Sequence, residues 1–110
     1  MKKLILTSIA TFALSFLLHA EEAKVNWDKT CAACHGKDGK GDTKMGKKLE
    51  VRDLTDPQVQ AKLKDEEMTK AIKEGIKNKE NGKVKMKAFG GKLSDDEIKA
   101  LVAYVRGLKK

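Results

Sequence analysis

The stretch "TCAACHG", Thr30–Gly36, holds both cysteines of the chain and one of its two histidines within five consecutive positions. Cys31, Cys34 and His35 at this spacing fit four chemistries: a redox-active dithiol, part of a zinc site, a disulfide beside an uninvolved histidine, or a covalent haem anchor. The sequence on either side discriminates among them, because each chemistry makes its own demand on helix position, compartment and additional ligands.

Upstream, "MKKLILTSIATFALSFLLHA", residues 1–20, begins with Lys2 and Lys3, continues as an apolar run to Leu18 and ends on Ala20 before an acidic pair. This is the pattern of a secretory signal peptide. The apolar run is shorter than the roughly 20 residues a membrane span requires; left uncleaved, it would serve as an anchor. The expected organisation is therefore a cleaved signal peptide, 1–20, and one mature domain, 21–110, in the periplasm. His19 departs with the peptide and leaves His35 as the sole histidine. The formal charge of +8 loses two lysines and becomes +6. Such a surface favours acidic partners or membranes. Nucleic acid is not expected as a partner of an exported protein that lacks a basic motif interleaved with aromatics. A domain of about 90 residues buries a modest core and commonly needs a disulfide, metal or cofactor to hold it.

Downstream, beta-branched runs are scarce and helical spacings recur, so the mature chain is expected to be mostly α. Trp27, Cys31 and Cys34 recur at i, i+4 and i+7, placing a first helix at about Ala23–Cys34 that the glycines of "HGKDGKG" end. A lysine-rich loop is expected to Asp53. Asp56 and Pro57 start a short second helix. "DEEMTKAIKEGI" sets Met68, Ala71, Ile72, Gly75 and Ile76 on one stripe of a third helix, with a stop near Lys77–Asn78. In the last helix Ser94 and Glu97 form a capping box, Leu93 and Ile98 a hydrophobic staple. Ile98, Leu101, Val102, Val105 and Leu108 line its buried face, and Arg106, Lys109 and Lys110 suit its C-terminal dipole. Asn81–Gly82 marks a turn before the alternation Val84, Met86, Ala88.

Against this background the four chemistries separate. A catalytic dithiol opens a helix after a strand, where the helix dipole lowers the thiol pKa; here the pair closes a helix and no strand pattern precedes it. Zinc needs four ligands, and the mature chain offers Cys31, Cys34 and His35. A disulfide across three residues closes too small a ring to staple a domain. Haem attachment has positive reasons: thiols about one helical turn apart can add to two vinyl groups on one porphyrin edge, and the adjacent His35 can coordinate iron. The iron's other face needs a non-histidine ligand or stays open. Met68 belongs to a core stripe, and Met45 stands too few residues beyond His35 to cross the porphyrin. Met86 is the favoured ligand, ahead of Met45, Met68 or a lysine, since burying a methionine in that lysine-rich segment has little other reason.

"WDKTCAACHGKDGKGDTKMGKKL" and "MKAFGGKLSDDEIKALVAYVRGLKK", in that order, resemble the small monohaem class I cytochromes c with histidine–methionine ligation. The resemblance spans essentially the whole mature chain. It implies an all-α cytochrome c fold, three to four helices packed around one covalently attached haem c and its iron. Cys31 and Cys34 would form the thioethers, and His35 and Met86 would be the axial ligands. Trp27 and Tyr104 match the aromatics at the crossing of the first and last helices. Two departures stand out: Lys87 occupies the place of the proline that usually follows the ligand methionine, close enough to compete for iron. The proline after the haem motif, whose neighbourhood supplies a carbonyl to the proximal histidine, is missing.

With both axial positions filled by protein, iron has no open site for a substrate, which makes the expected function single-electron carriage and not catalysis. The expected partners are redox proteins with acidic docking surfaces or membrane-bound oxidoreductases, steered by Lys37, Lys40, Lys44, Lys47 and Lys48 on one side and Lys83, Lys85, Lys87 and Lys92 on the other. A monomer is expected. If Met86 is not bound, the same fold becomes a five-coordinate ligand sensor or weak peroxidase. Without haem it would be a thiol–disulfide oxidoreductase.

Overall fold

The structure, a computed structural model, describes residues 19–110. All but the last two residues of the expected signal peptide lie outside the described residues. The chain is helical from residue 19 (α1), through 19–26, a π-helical turn at Trp27–Cys31 and a final α turn at Ala32–His35. The first helix therefore extends one residue past the expected end, and its winding changes at a point that no local pattern marks. Ala32 N–H reaches back five residues to the Trp27 carbonyl, one residue more than α geometry allows. Gly36, at φ 81°, ends the helix, its N–H bonded to Ala32 at 2.8 Å.

The expected loop to Asp53 contains a helix, α2, Lys44–Leu49. Thr43 caps it by accepting from Gly46 N at 2.9 Å. The same hydroxyl donates to the Cys34 carbonyl at 2.8 Å, fastening α2 to the end of α1. Gly46 is buried here because a Cβ would overlap the carbonyls of Cys34 and Gly41. A glycine and three lysines among six residues hide this helix from periodicity, since its register is fixed by the cap and by that close approach.

α3 spans Pro57–Lys62, with Asp56 accepting from Gln58 N at 2.9 Å and Pro57 in the first turn, as the sequence predicts. α4 runs Asp65–Glu74 with Met68 and Ile72 buried. It stops earlier than expected: Gly75, at φ 77°, turns the chain away. Ile76, placed on the buried stripe by periodicity, is instead 43% exposed in the short strand β1, Ile76–Lys77. β1 pairs antiparallel with β2, Val84–Met86, bringing Ile76 opposite Met86. A side chain at Gly75 would run into the Met86 carbonyl and the Ala88 amide, so the end of α4 and the methionine segment are built against each other.

α5, Asp95–Gly107, carries the predicted capping box: Glu97 N donates to Ser94 Oγ at 3.1 Å and Ser94 N to Glu97 Oε1 at 3.0 Å. Ile98, Leu101, Val102 and Val105 are buried. With Trp27 and Cys31 from α1, Met68 and Ile72 from α4, and Phe89 and Leu93, they make one core. α4 and α5 lie antiparallel, pinned at both ends by Lys73–Asp95 at 3.1 Å and Arg106–Asp65 at 2.8 Å. Arg106 does more than complement its own helix. It donates to the Gln60 and Leu63 carbonyls at the open C-terminal end of α3, where free carbonyls attract cations.

α1 crosses α5. Asn26 donates to Glu97 Oε2 at 3.2 Å, and the rings of Trp27 and Tyr104 lie 5.4 Å apart, tilted 39°. That is the aromatic pairing the family resemblance implies. Among the described residues no helix is long and apolar enough to cross a membrane.

Candidate metal centre

The helix end that carries Cys31, Cys34 and His35 is held from three directions. Thr43 binds the Cys34 carbonyl, Gly41 N donates to the His35 carbonyl at 2.7 Å, and Trp27 Nε1 donates to the Gly36 carbonyl at 3.0 Å. Cys31 is buried and Cys34 half-buried, both as free thiols. Successive helical turns carry the two sulfurs, as addition to one porphyrin edge requires.

Burial pushes the Cys31 thiol up, with the Thr30 hydroxyl opposing and Cys34 reinforcing the shift. A nucleophilic cysteine needs the opposite: a helix N-terminus or a cation that lowers its pKa. The dithiol-catalyst reading therefore lacks its activating environment. Among the described residues no three His, Cys, Asp or Glu side chains converge on a metal position, so the zinc reading lacks its remaining donors.

Burial also lowers the His35 pKa, which favours the neutral imidazole, the form that ligates metals. Its Nδ1 is the one buried side-chain nitrogen or oxygen without a hydrogen-bond partner among the described residues. Buried polar atoms are nearly always satisfied, so an orphan on a neutral histidine beside two free thiols is an unfinished site. The donor set fits haem c: two thiols for the porphyrin edge and one imidazole for iron.

Met86, on β2, is half-buried and packs against the core that contains Trp27 and Cys31. Met68 is buried in that core, whereas Met45 is 46% exposed on α2. The structure thus gathers Cys31, Cys34 and His35 at one helix end and brings Met86 to the same core from a different element. Lys87 is exposed beside it. Sequence reasoning missed Thr43 and Gly46 as supports of the cysteine turn. A threonine followed three residues later by a glycine was the available signal.

A family model described as cytochrome c oxidase, cbb3-type, subunit III matches residues 19–105. The chain belongs to this cytochrome c family. Among solved structures, the KustC0563 c-type cytochrome is similar, with 38% identity and a TM-score of 0.69, covering 80% of this chain and 98% of that one. A tyrosine-to-phenylalanine mutant of Kustc0563 is similar at 36% identity and a TM-score of 0.67, covering 80% of this chain and 99% of that one. No curated protein matches the chain. The protein is a small c-type cytochrome with the cytochrome c fold, a covalently bound haem c with its iron, and the family's role of passing electrons to redox partners.

Proposed function

We propose that this cytochrome is a periplasmic carrier of single electrons, bound to haem c through thioethers at Cys31 and Cys34 and ligated by His35 and Met86. The observation that carries the reading is His35, its Nδ1 buried and unpartnered among the described residues, one residue after the half-buried thiol of Cys34. Haem c, when bound, supplies an iron that cycles by one electron between ferric and ferrous states. The chain's own residues do the rest. Cys31 and Cys34 would fix the porphyrin edge to α1, and the turn tied down by Thr43 and Gly41 would hold His35 toward iron. Met86 would close the other axial position; a thioether ligand raises the potential. With both positions closed no substrate would reach iron, which fits electron carriage and not catalysis.

Met86 is supported by elimination and by placement. Met68 is committed to the core and Met45 faces solvent, while Met86 borders the core from a strand whose backbone is set against Gly75. Its test is an optical spectrum of the holoprotein, oxidised and reduced, before and after carbon monoxide. The parent is expected to resist carbon monoxide. Met86→Ala is expected to bind it readily and to show a lower potential. A variant with the parent's spectrum and potential would overturn the assignment, and a parent that binds carbon monoxide at once would point to a five-coordinate sensor or peroxidase.

Export through residues 1–20 places the monomeric domain, 21–110, in the periplasm; the mass of the protein recovered from that compartment tests the cleavage. All nine lysines named above are exposed and favour a redox partner with an acidic docking surface, soluble or part of a membrane-bound oxidoreductase.

A further inference from the structure

Trp27 touches the cysteine turn in a way that packing at a helix crossing does not require. The indole is 2% exposed. Its Nε1 donates to the Gly36 carbonyl, nine residues on, at 3.0 Å. Its ring lies 5.7 Å from the His35 ring, tilted 34°, with Tyr104 at 5.4 Å. The π-helical turn Trp27–Cys31 lies between the indole and the cysteine turn; such turns recur at functional sites.

Among the described residues His35 Nδ1 is buried and has no hydrogen-bond partner to fix the ring. The carbonyl immediately after it, that of Gly36, accepts from the indole and, at 3.2 Å, from Gly39 N within its own loop, so the indole is its one tie back to α1. What holds the imidazole is therefore a clamp: a rigid bicyclic ring against it and an N–H bond anchoring the residue that follows. We propose that Trp27 is a positioning residue that sets the orientation of the axial imidazole of His35, through its bond to Gly36 as well as its ring contact. This rests on His35 being the iron ligand.

The test uses the holoprotein. Trp27 is the one tryptophan of the chain, so a 15N-labelled sample gives a single indole signal. That N–H is expected to be strongly protected from hydrogen exchange; exchange at the rate of an exposed indole would overturn the proposal. In the oxidised protein, Trp27→Phe keeps an aromatic ring but removes the donor. The hyperfine-shifted His35 ring resonances and the midpoint potential are expected to move, whereas Tyr104→Phe is expected to leave both in place. A Trp27→Phe protein with lowered thermal stability but unmoved His35 resonances would reduce Trp27 to helix packing. If Trp27→Phe does not fold, the same His35 resonances and midpoint potential are read on Trp27→Tyr, which also keeps a ring and lacks the indole donor, with the same two outcomes. Should the parent itself lack hyperfine-shifted histidine resonances, the ligand reading fails, separately from the role of Trp27.

Discussion

Gly46 has no side chain, yet it decides how closely α2 can approach the cysteine turn. A Cβ there would meet backbone carbonyls of Cys34 and Gly41, which cannot swing aside as a flexible side chain could. Gly46→Ala is expected to destabilise the holoprotein by about 1–3 kcal/mol in urea unfolding, the usual cost of forced overpacking; an unchanged midpoint would show that α2 does not buttress the turn. Asp53 acts through hydrogen bonds. Its carboxylate accepts from Thr55 Oγ1 at 2.6 Å and Thr55 N at 2.8 Å, and these bonds hold its pKa below the usual carboxylate range. A lowered folded pKa contributes stability above the unfolded value of about 3.9 and loses it as pH falls through the folded value. The stability gap between parent and Asp53→Asn is expected to be flat from neutral pH to about 5 and to shrink below about 4. A gap constant down to pH 3 would refute this account.

Between elements, the polar ties are what a periodicity argument misses. Gln60 is 4% exposed and donates to the carbonyls of Leu54 at 2.6 Å and Val105 at 2.8 Å. Arg106 donates to its Oε1 at 3.2 Å. Val105 keeps another donor, Leu108 N, so Gln60→Leu would chiefly strip the Leu54 carbonyl and the guanidinium of a partner. The expected loss is roughly 1–3 kcal/mol, the cost of leaving a buried polar group unpaired, read as a fall in chemical-denaturation midpoint. Leucine tolerated without loss would show that Arg106 alone ties α3 to α5. The capping box at Ser94 and Glu97 was legible because its partners are three residues apart. The Gln60 network joins residues 45 and 46 positions apart, and no local pattern announces it.

Across the whole molecule, charge is the property that a partner meets first. The acidic first turns of α4 and α5, Asp65–Glu67 and Asp95–Glu97, include the two carboxylates that pair with Lys73 and Arg106. Of the nine lysines expected to border the haem, Lys47 alone forms an ion pair among the described residues, with Asp42 at 3.1 Å, and both of those side chains are exposed. Electron-transfer rates with an acidic partner are therefore expected to fall steeply as ionic strength rises. Rates indifferent to salt would assign these lysines to solubility.

The sequence by itself determined the cofactor class, the helical class, the caps at Asp56 and Ser94 and the buried face of α5. These rest on neighbours within a few positions, where spacing alone fixes geometry. Tertiary structure alone decided that α2 exists, that α4 ends at Glu74, that Ile76 leaves the core for a strand opposite Met86, and that Trp27 is bonded to Gly36. Each of those outcomes depends on a carbonyl, a ring or a close backbone approach brought in by chain folding, and a linear pattern carries no record of such contacts.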